Sequence, residues 1–233
     1  MVAENPQAVA AEVAEWVAAA AQRAVVDRGG FSIALAGGST PRLLYETLAG
    51  PAWHQRVAWP EWRVYFGDER ACPPDDAASN YHLAKTTLLS RVPIDPRHVH
   101  RIPAERRDLD AAASEYSDLL ASSLPAGPRG APRLDVILLG LGENGHTASL
   151  FPGTPALDVT DRWATRGLAD YEPYDRITLT FPAINAAAAV AFMVTGASKR
   201  DALAATAAGL VPASRVRPLD GALVWFLDAA AAV

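Results

Sequence analysis

"LDVILLGLGENGHTASLFPG", residues 134–153, joins two unlike halves. The first is an unbroken apolar run with no polar alternation, which predicts a strand covered on both faces and therefore a parallel sheet flanked by helices. The second spaces Gly140, Gly142 and Gly145 as G-x-G-x-x-G, the pattern of a dinucleotide-binding turn. Such a turn needs a long helix after its third glycine, then a strand ending in an acid that binds ribose. Here Pro152, Gly153 and Pro155 arrive within a few residues, leaving a turn or two of helix and no compact βαβ unit. The pattern therefore reads as a tight strand-to-helix turn with glycines for permissive φ. His146 stands at its mouth, at the carboxyl edge of the sheet, where an imidazole could reach a bound molecule.

Working outward, Val9, Val13, Trp16, Val17 and Ala20 repeat at helical spacing, predicting a helix over residues 6–28 stopped by Gly29 and Gly30. Buried strands are expected at 31–36, 62–66, 176–181, 189–195 and 222–228, and a short one at 98–102. Helices are expected after Ser39 or Thr40, with Pro41 at the first helical position. Others should follow Ser79 or Asn80, run over 109–122, and run from 198 to a stop at Gly209. The Pro- and Gly-rich stretch 124–132 reads as a surface connection. Strands alternating with helices predict a single α/β domain over residues 1–233. Its architecture should be three-layer and Rossmann-like, a mainly parallel sheet with helices on both faces. Ligands of such sheets sit beyond the carboxyl ends of the strands.

The 233 residues are 50% hydrophobic and 20% charged, ordinary for a globular protein with a sizeable core. No apolar run approaches the roughly 20 residues that span a bilayer, and the first residues lack a secretory pattern. One cysteine, Cys72, fits a reducing compartment, so the expected location is the cytoplasm. A net charge of −5 argues against nucleic acid as a partner, and no membrane partner is expected. Any anionic substrate would need a local cluster of positive charge.

Three further stretches follow predicted strands. "LAGGSTP", residues 35–41, could cradle a phosphate with Gly37, Gly38, Ser39, Thr40 and the helix N-terminus, or could be a capped turn. It lacks the Gly-Lys-Ser/Thr of a nucleotide-triphosphate loop. "FGDERACPPDDAASNY", residues 66–81, places Asp68, Glu69 and Arg70 straight after a strand. Arg70 could bind an oxyanion bidentately, and Asp68 could orient a hydroxyl or take a proton. "TGASKRDAL", residues 195–203, puts Lys199 in a first helical turn, where the helix dipole disfavours a cation unless an anion is near. Arg176, opening "RITLTF", reads as a surface arginine at a strand start and is kept as a candidate substrate ligand. His98 and His100 lack a third ligand, so no metal is expected.

In order along the chain, "GGSTP", "FGDERACPPDDAASNY", "GLGENGHTASLFPG", "RITLTFPAIN", "TGASKRDAL" and "ALVWFLDAAAA" resemble the 6-phosphogluconolactonase family. The stretch "GHTASLFPG" is the most specific. The resemblance implies a fold shared with glucosamine-6-phosphate deaminases and ribose-5-phosphate isomerases. It also implies hydrolysis of 6-phospho-D-glucono-1,5-lactone in the oxidative pentose phosphate route, with no cofactor or metal, by a monomer or small homo-oligomer. On this reading His146 is the general base, with Arg70 and Asp68 beside it. Gly37, Gly38, Ser39, Thr40, Lys199, Arg176, Asn144 and Gly145 would hold the substrate. The family often has Asp where this chain has Asn144. Deaminase relatives use that Asp and a later Glu, where this chain has Asn144 and Phe151. A deaminase or isomerase, or a silent sugar-phosphate sensor, is the alternative.

Overall fold

The protein is described by a computed structural model covering residues 1–232. The chain runs β1 (Val2–Ala3), α1 (Pro6–Arg28), β2 (Phe31–Leu35), α2 (Ser39–Leu48), α3 (Pro51–His54), β3 (Trp62–Phe66) and β4 (Asp68–Arg70). It continues through α4 (Asn80–Ala84), α5 (Leu109–Ser123), β5 (Val136–Leu139), β6 (Ala164–Leu168) and β7 (Asp175–Leu179). Last come α6 (Phe181–Asn185), β8 (Ala189–Val194), α7 (Arg200–Ala207) and β9 (Ala222–Asp228). Among the described residues no helix is long and apolar enough to cross a membrane.

Six strands form a parallel sheet in the order β1-β9-β8-β5-β2-β3. Every residue of β2 and β5 is buried, as runs that are apolar but for Ser32 require. Helices α1 and α2 pack on each other and against β2, β8 and β9. The Asn5 side chain caps α1 at its start, and Gly29 at φ 74° ends it in the left-handed conformation that glycine tolerates. Two buried tyrosines clamp strand ends. Tyr45 Oη donates to the Ala36 carbonyl and accepts from its N–H just after β2. Tyr116 on α5 does the same for Phe66 at the end of β3.

A second, smaller sheet is added to the expected mainly parallel architecture. It is antiparallel, in the order β4-β7-β6. "DER" is therefore a strand and not a free loop, and "RITLTF" pairs here instead of joining the parallel sheet. That strand ends at Leu179, and Phe181 opens α6. Gly67 links the two sheets: its N–H donates to Leu35 at 2.9 Å and its carbonyl accepts from Leu179 at 2.8 Å.

Other expectations need correction. No helix follows Gly145; the chain turns through a bridge between Thr147 and Leu150 and reaches only a 3-10 turn at Pro155–Asp158. The glycine pattern thus serves a strand-to-loop turn. "HVHRI" gives a single bridge, Val99 to Val64; the His100 N–H donates to the Val64 carbonyl at 2.8 Å and its ring stacks on Tyr65 at 4.7 Å. The helix after Ser79 converts at Lys85 to a π turn through Leu89.

Candidate active site

The carboxyl ends of β2, β3 and β5 meet the small sheet around a cavity of about 200 Å³. From β5 comes the glycine turn. Its closure is set by Gly142 N–H donating to the His146 carbonyl at 2.9 Å and Gly145 N–H to the Gly142 carbonyl at 3.0 Å. A Cβ on Gly142 would lie 2.0 Å from Nδ1 of His146, so the imidazole rests where any side chain would stand. Gly145, at φ +77°, also has no room, because a Cβ there would meet Val211 at 2.4 Å. The glycines serve a histidine ring and not a pyrophosphate.

His146 lines the cavity, half-buried, with its ring stacked on Phe151 at 3.9 Å. Nδ1 bonds Asn144 Oδ1 at 2.6 Å, while Nε2 has no partner among the described residues. Burial pushes its pKa down to about 4; Asp68 and Asp170 oppose the shift, and Lys199 and Arg176 add to it. The ring is neutral at pH 7.

Asp68 is buried and held by Ser149 Oγ at 2.7 Å and Asn80 Nδ2 at 3.1 Å. Glu69 points the other way. Its carboxylate accepts from the N–H groups of Arg70, Asn80 and Tyr81 and from Ser79 Oγ, pinning the start of α4. Burial raises its pKa against those backbone bonds. Asn80, thus fixed, keeps a buried Oδ1 without a partner, and a Cβ on Gly37 would come 1.7 Å from that oxygen.

Arg176 is the largest correction. It is not on the surface but 1% exposed, opposite Arg70 in the β4–β7 register. Its Nε and one terminal nitrogen have no partner, and its guanidinium lies 5.2 Å from the Tyr171 ring. Burial and the neighbouring Arg70 both push its pKa down. Arg70 donates to the Ala78 carbonyl and also leaves its Nε unbonded. Like charges directly opposite on paired strands are destabilising, and buried unmade donors cost about 1–3 kcal/mol each. Two guanidiniums so placed can take up an anion.

Lys199 reaches the same cavity from the N-cap of α7, and Gly37 and Gly38 line its wall at the start of α2. Ser39 and Thr40 do not line it; the Thr40 hydroxyl is engaged with Thr195 at 2.8 Å. Asn144 and Gly145 stand behind His146. Three contributors escaped the sequence reading: Asn80, Ser149 and Tyr171. Only the Ser-Asn pair before a helix, an N-cap signal, pointed toward any of them. The site can bind an anion and present an unprotonated imidazole to water.

Residues 4–225 match the family described as glucosamine-6-phosphate isomerases/6-phosphogluconolactonase. A 6-phosphogluconolactonase of Nostoc sp. is 44% identical over 89% of this chain and 86% of its own. The structure of 6-phosphogluconolactonase from Trypanosoma brucei superposes with a TM-score of 0.89 at 30% identity, covering 100% of this chain and 96% of that one. A monomeric glucosamine-6-phosphate deaminase shares the fold, with a TM-score of 0.83 at 21% identity over 100% of this chain and 98% of that one.

Proposed function

The chain belongs to the glucosamine-6-phosphate isomerase/6-phosphogluconolactonase family, and from that premise we infer that His146 is the base with which it opens its lactone. It is an ester hydrolase, converting 6-phospho-D-glucono-1,5-lactone to 6-phosphogluconate. Water attacks the C1 carbonyl as Nε2 of His146 takes its proton, and the C1–ring oxygen bond breaks as the imidazolium returns that proton to the departing oxygen. The free Nε2 on a neutral ring is the observation that carries this reading. Lys199 and the Gly37–Gly38 turn are assigned to the phosphate. The guanidiniums of Arg70 and Arg176 are then left for the charge that grows on the carbonyl oxygen. Asp68, held by Ser149 and Asn80, orients a sugar hydroxyl. Phe151 stacked on the ring offers no carboxylate for a ring-opening proton shuttle, which supports hydrolysis over deamination. The reaction as written needs no metal or cofactor, and a lone cysteine fits a cytoplasmic enzyme.

The test is acid release from freshly made lactone, corrected for spontaneous decay. His146→Ala should lower turnover by about 10²–10⁴-fold with unchanged thermal unfolding. Near-normal turnover would remove the base assignment.

A further inference from the structure

Asn144 stands between His146 and an acid 26 residues further along the chain. Its Oδ1 accepts from the His146 backbone N–H at 3.0 Å and pairs with the imidazole Nδ1 at 2.6 Å. Its Nδ2 donates to Asp170 Oδ2 at 2.8 Å. A carboxylate only accepts, so Asp170 turns the amide nitrogen toward itself and the amide oxygen toward the ring. An amide oxygen also only accepts, so Nδ1 must carry the ring proton and Nε2 must carry the lone pair. Were the amide reversed, its NH₂ would face the backbone N–H, and the ring would favour the tautomer with its proton on Nε2. That is the wrong nitrogen for taking a proton from water.

We propose that Asp170 is a positioning residue for the base: acting through Asn144, it selects the tautomer of His146 and supplies the negative charge that Asn144 lacks when the imidazolium forms. This rests on the base assignment made above. Asp170 lies in the turn of the β6–β7 hairpin, which closes through the Ala169 N–H donating to Tyr174 at 2.7 Å. The next residue, Tyr171, meets Phe151 edge-on at 5.8 Å and lies 6.3 Å from the His146 ring. Two successive hairpin residues therefore bear on the imidazole. The charges facing it are Asp68 from β4 and Asp170 from the hairpin, against Arg176 from β7 and Lys199 from before α7. Removing Asp170 leaves positive charge in excess.

The test uses Asp170→Ala and Asp170→Asn in the full chain, with His146→Ala to assign the ring signals. Nitrogen NMR of the imidazole gives tautomer and titration midpoint, and the lactone assay gives kcat and KM. Asp170→Ala removes one of the two bonds that orient the amide, the other being the His146 backbone N–H. It should raise the share of the tautomer protonated on Nε2, move the midpoint to lower pH, and lower kcat about two- to tenfold, the weight of one hydrogen bond, with KM unchanged. Asp170→Asn keeps an accepting oxygen, so tautomer and most of kcat should return while the midpoint stays low. A tautomer unmoved in Asp170→Ala overturns the proposal. So do equal losses in both variants, which would mean that the hairpin had merely been damaged. The ring signals do not depend on what His146 does in catalysis. An active His146→Ala would sink the base assignment while Asp170 was still tested.

Discussion

At position 142 a single hydrogen stands where any other residue would drive a carbon through the imidazole. That contact ties the glycine spacing to His146 and explains why a dinucleotide-like pattern occurs without its helix. His146 in turn sets a pH prediction. Its pKa falls from the ordinary value near 6.5 to about 4 in the folded protein because burial disfavours the charged form. The unfolded chain then binds the extra proton first. Stability from this group is complete above pH 6.5 and is lost as pH falls toward 4. NMR titration of the free enzyme should place the His146 midpoint near 4, and His146→Gln should flatten that stretch of the stability profile. A midpoint near 6.5 would mean a solvated ring. At this scale the sequence was legible: His146, Asp68, Arg70 and Lys199 all line the cavity. Their short-range cue was a polar residue in the turn or loop that follows an apolar strand.

Pairing of β4 with β7 decides what cannot be seen in either strand alone. Arg70 and Arg176 are far apart in sequence; the first reads as a candidate oxyanion ligand, the second as a surface arginine, and neither announces the other. Register alone sets them opposite one another and buries the second. Replacing a buried, poorly paired charge with an apolar side chain of similar length often stabilises a protein. Arg176→Met should therefore raise the thermal midpoint by about 2–8 °C, the effect of one to two kcal/mol on a chain of this size. Lactone kcat/KM should drop by more than about tenfold. Calorimetry and the lactone assay check both. A midpoint unchanged or lowered, with activity kept, would mean that the arginine is structural. The small sheet escaped the sequence reading for a local reason: β4 is three charged residues and β6 is "ATRGL". Neither carries the alternating apolar pattern of a half-buried strand.

Over the whole molecule a net charge of −5 surrounds a cavity lined by Arg70, Arg176 and Lys199 against one acid, Asp68, and a neutral imidazole. The acidic exterior raises solubility, while the low-dielectric cavity concentrates the opposing field on a dianion. The cavity also joins the two sheets, which meet directly at Gly67. A ligand held by residues of both should brace them. 6-Phosphogluconate at about 100 times its Kd should stabilise the fold by ~2.7 kcal/mol, visible as a raised midpoint in thermal unfolding. High salt should reduce that gain, because screening shortens the reach of the cations. Gluconate, which lacks the phosphate, should do far less. Equal shifts from the two compounds would contradict the phosphate assignment.

Apolar runs, helix caps and glycine turns act over a handful of residues, so the chain by itself determined the alternating α/β order, the parallel sheet and the place of His146 at its carboxyl edge. What faces that histidine was decided only by folding. Asp170 reaches its Asn144 partner from a hairpin turn, Arg176 enters the cavity through cross-strand register, and Asn80 enters it through a helix start pinned by Glu69. Such partners are brought together by sheet pairing and packing, whose geometry is a property of the assembled molecule and has no local trace in the residues that meet.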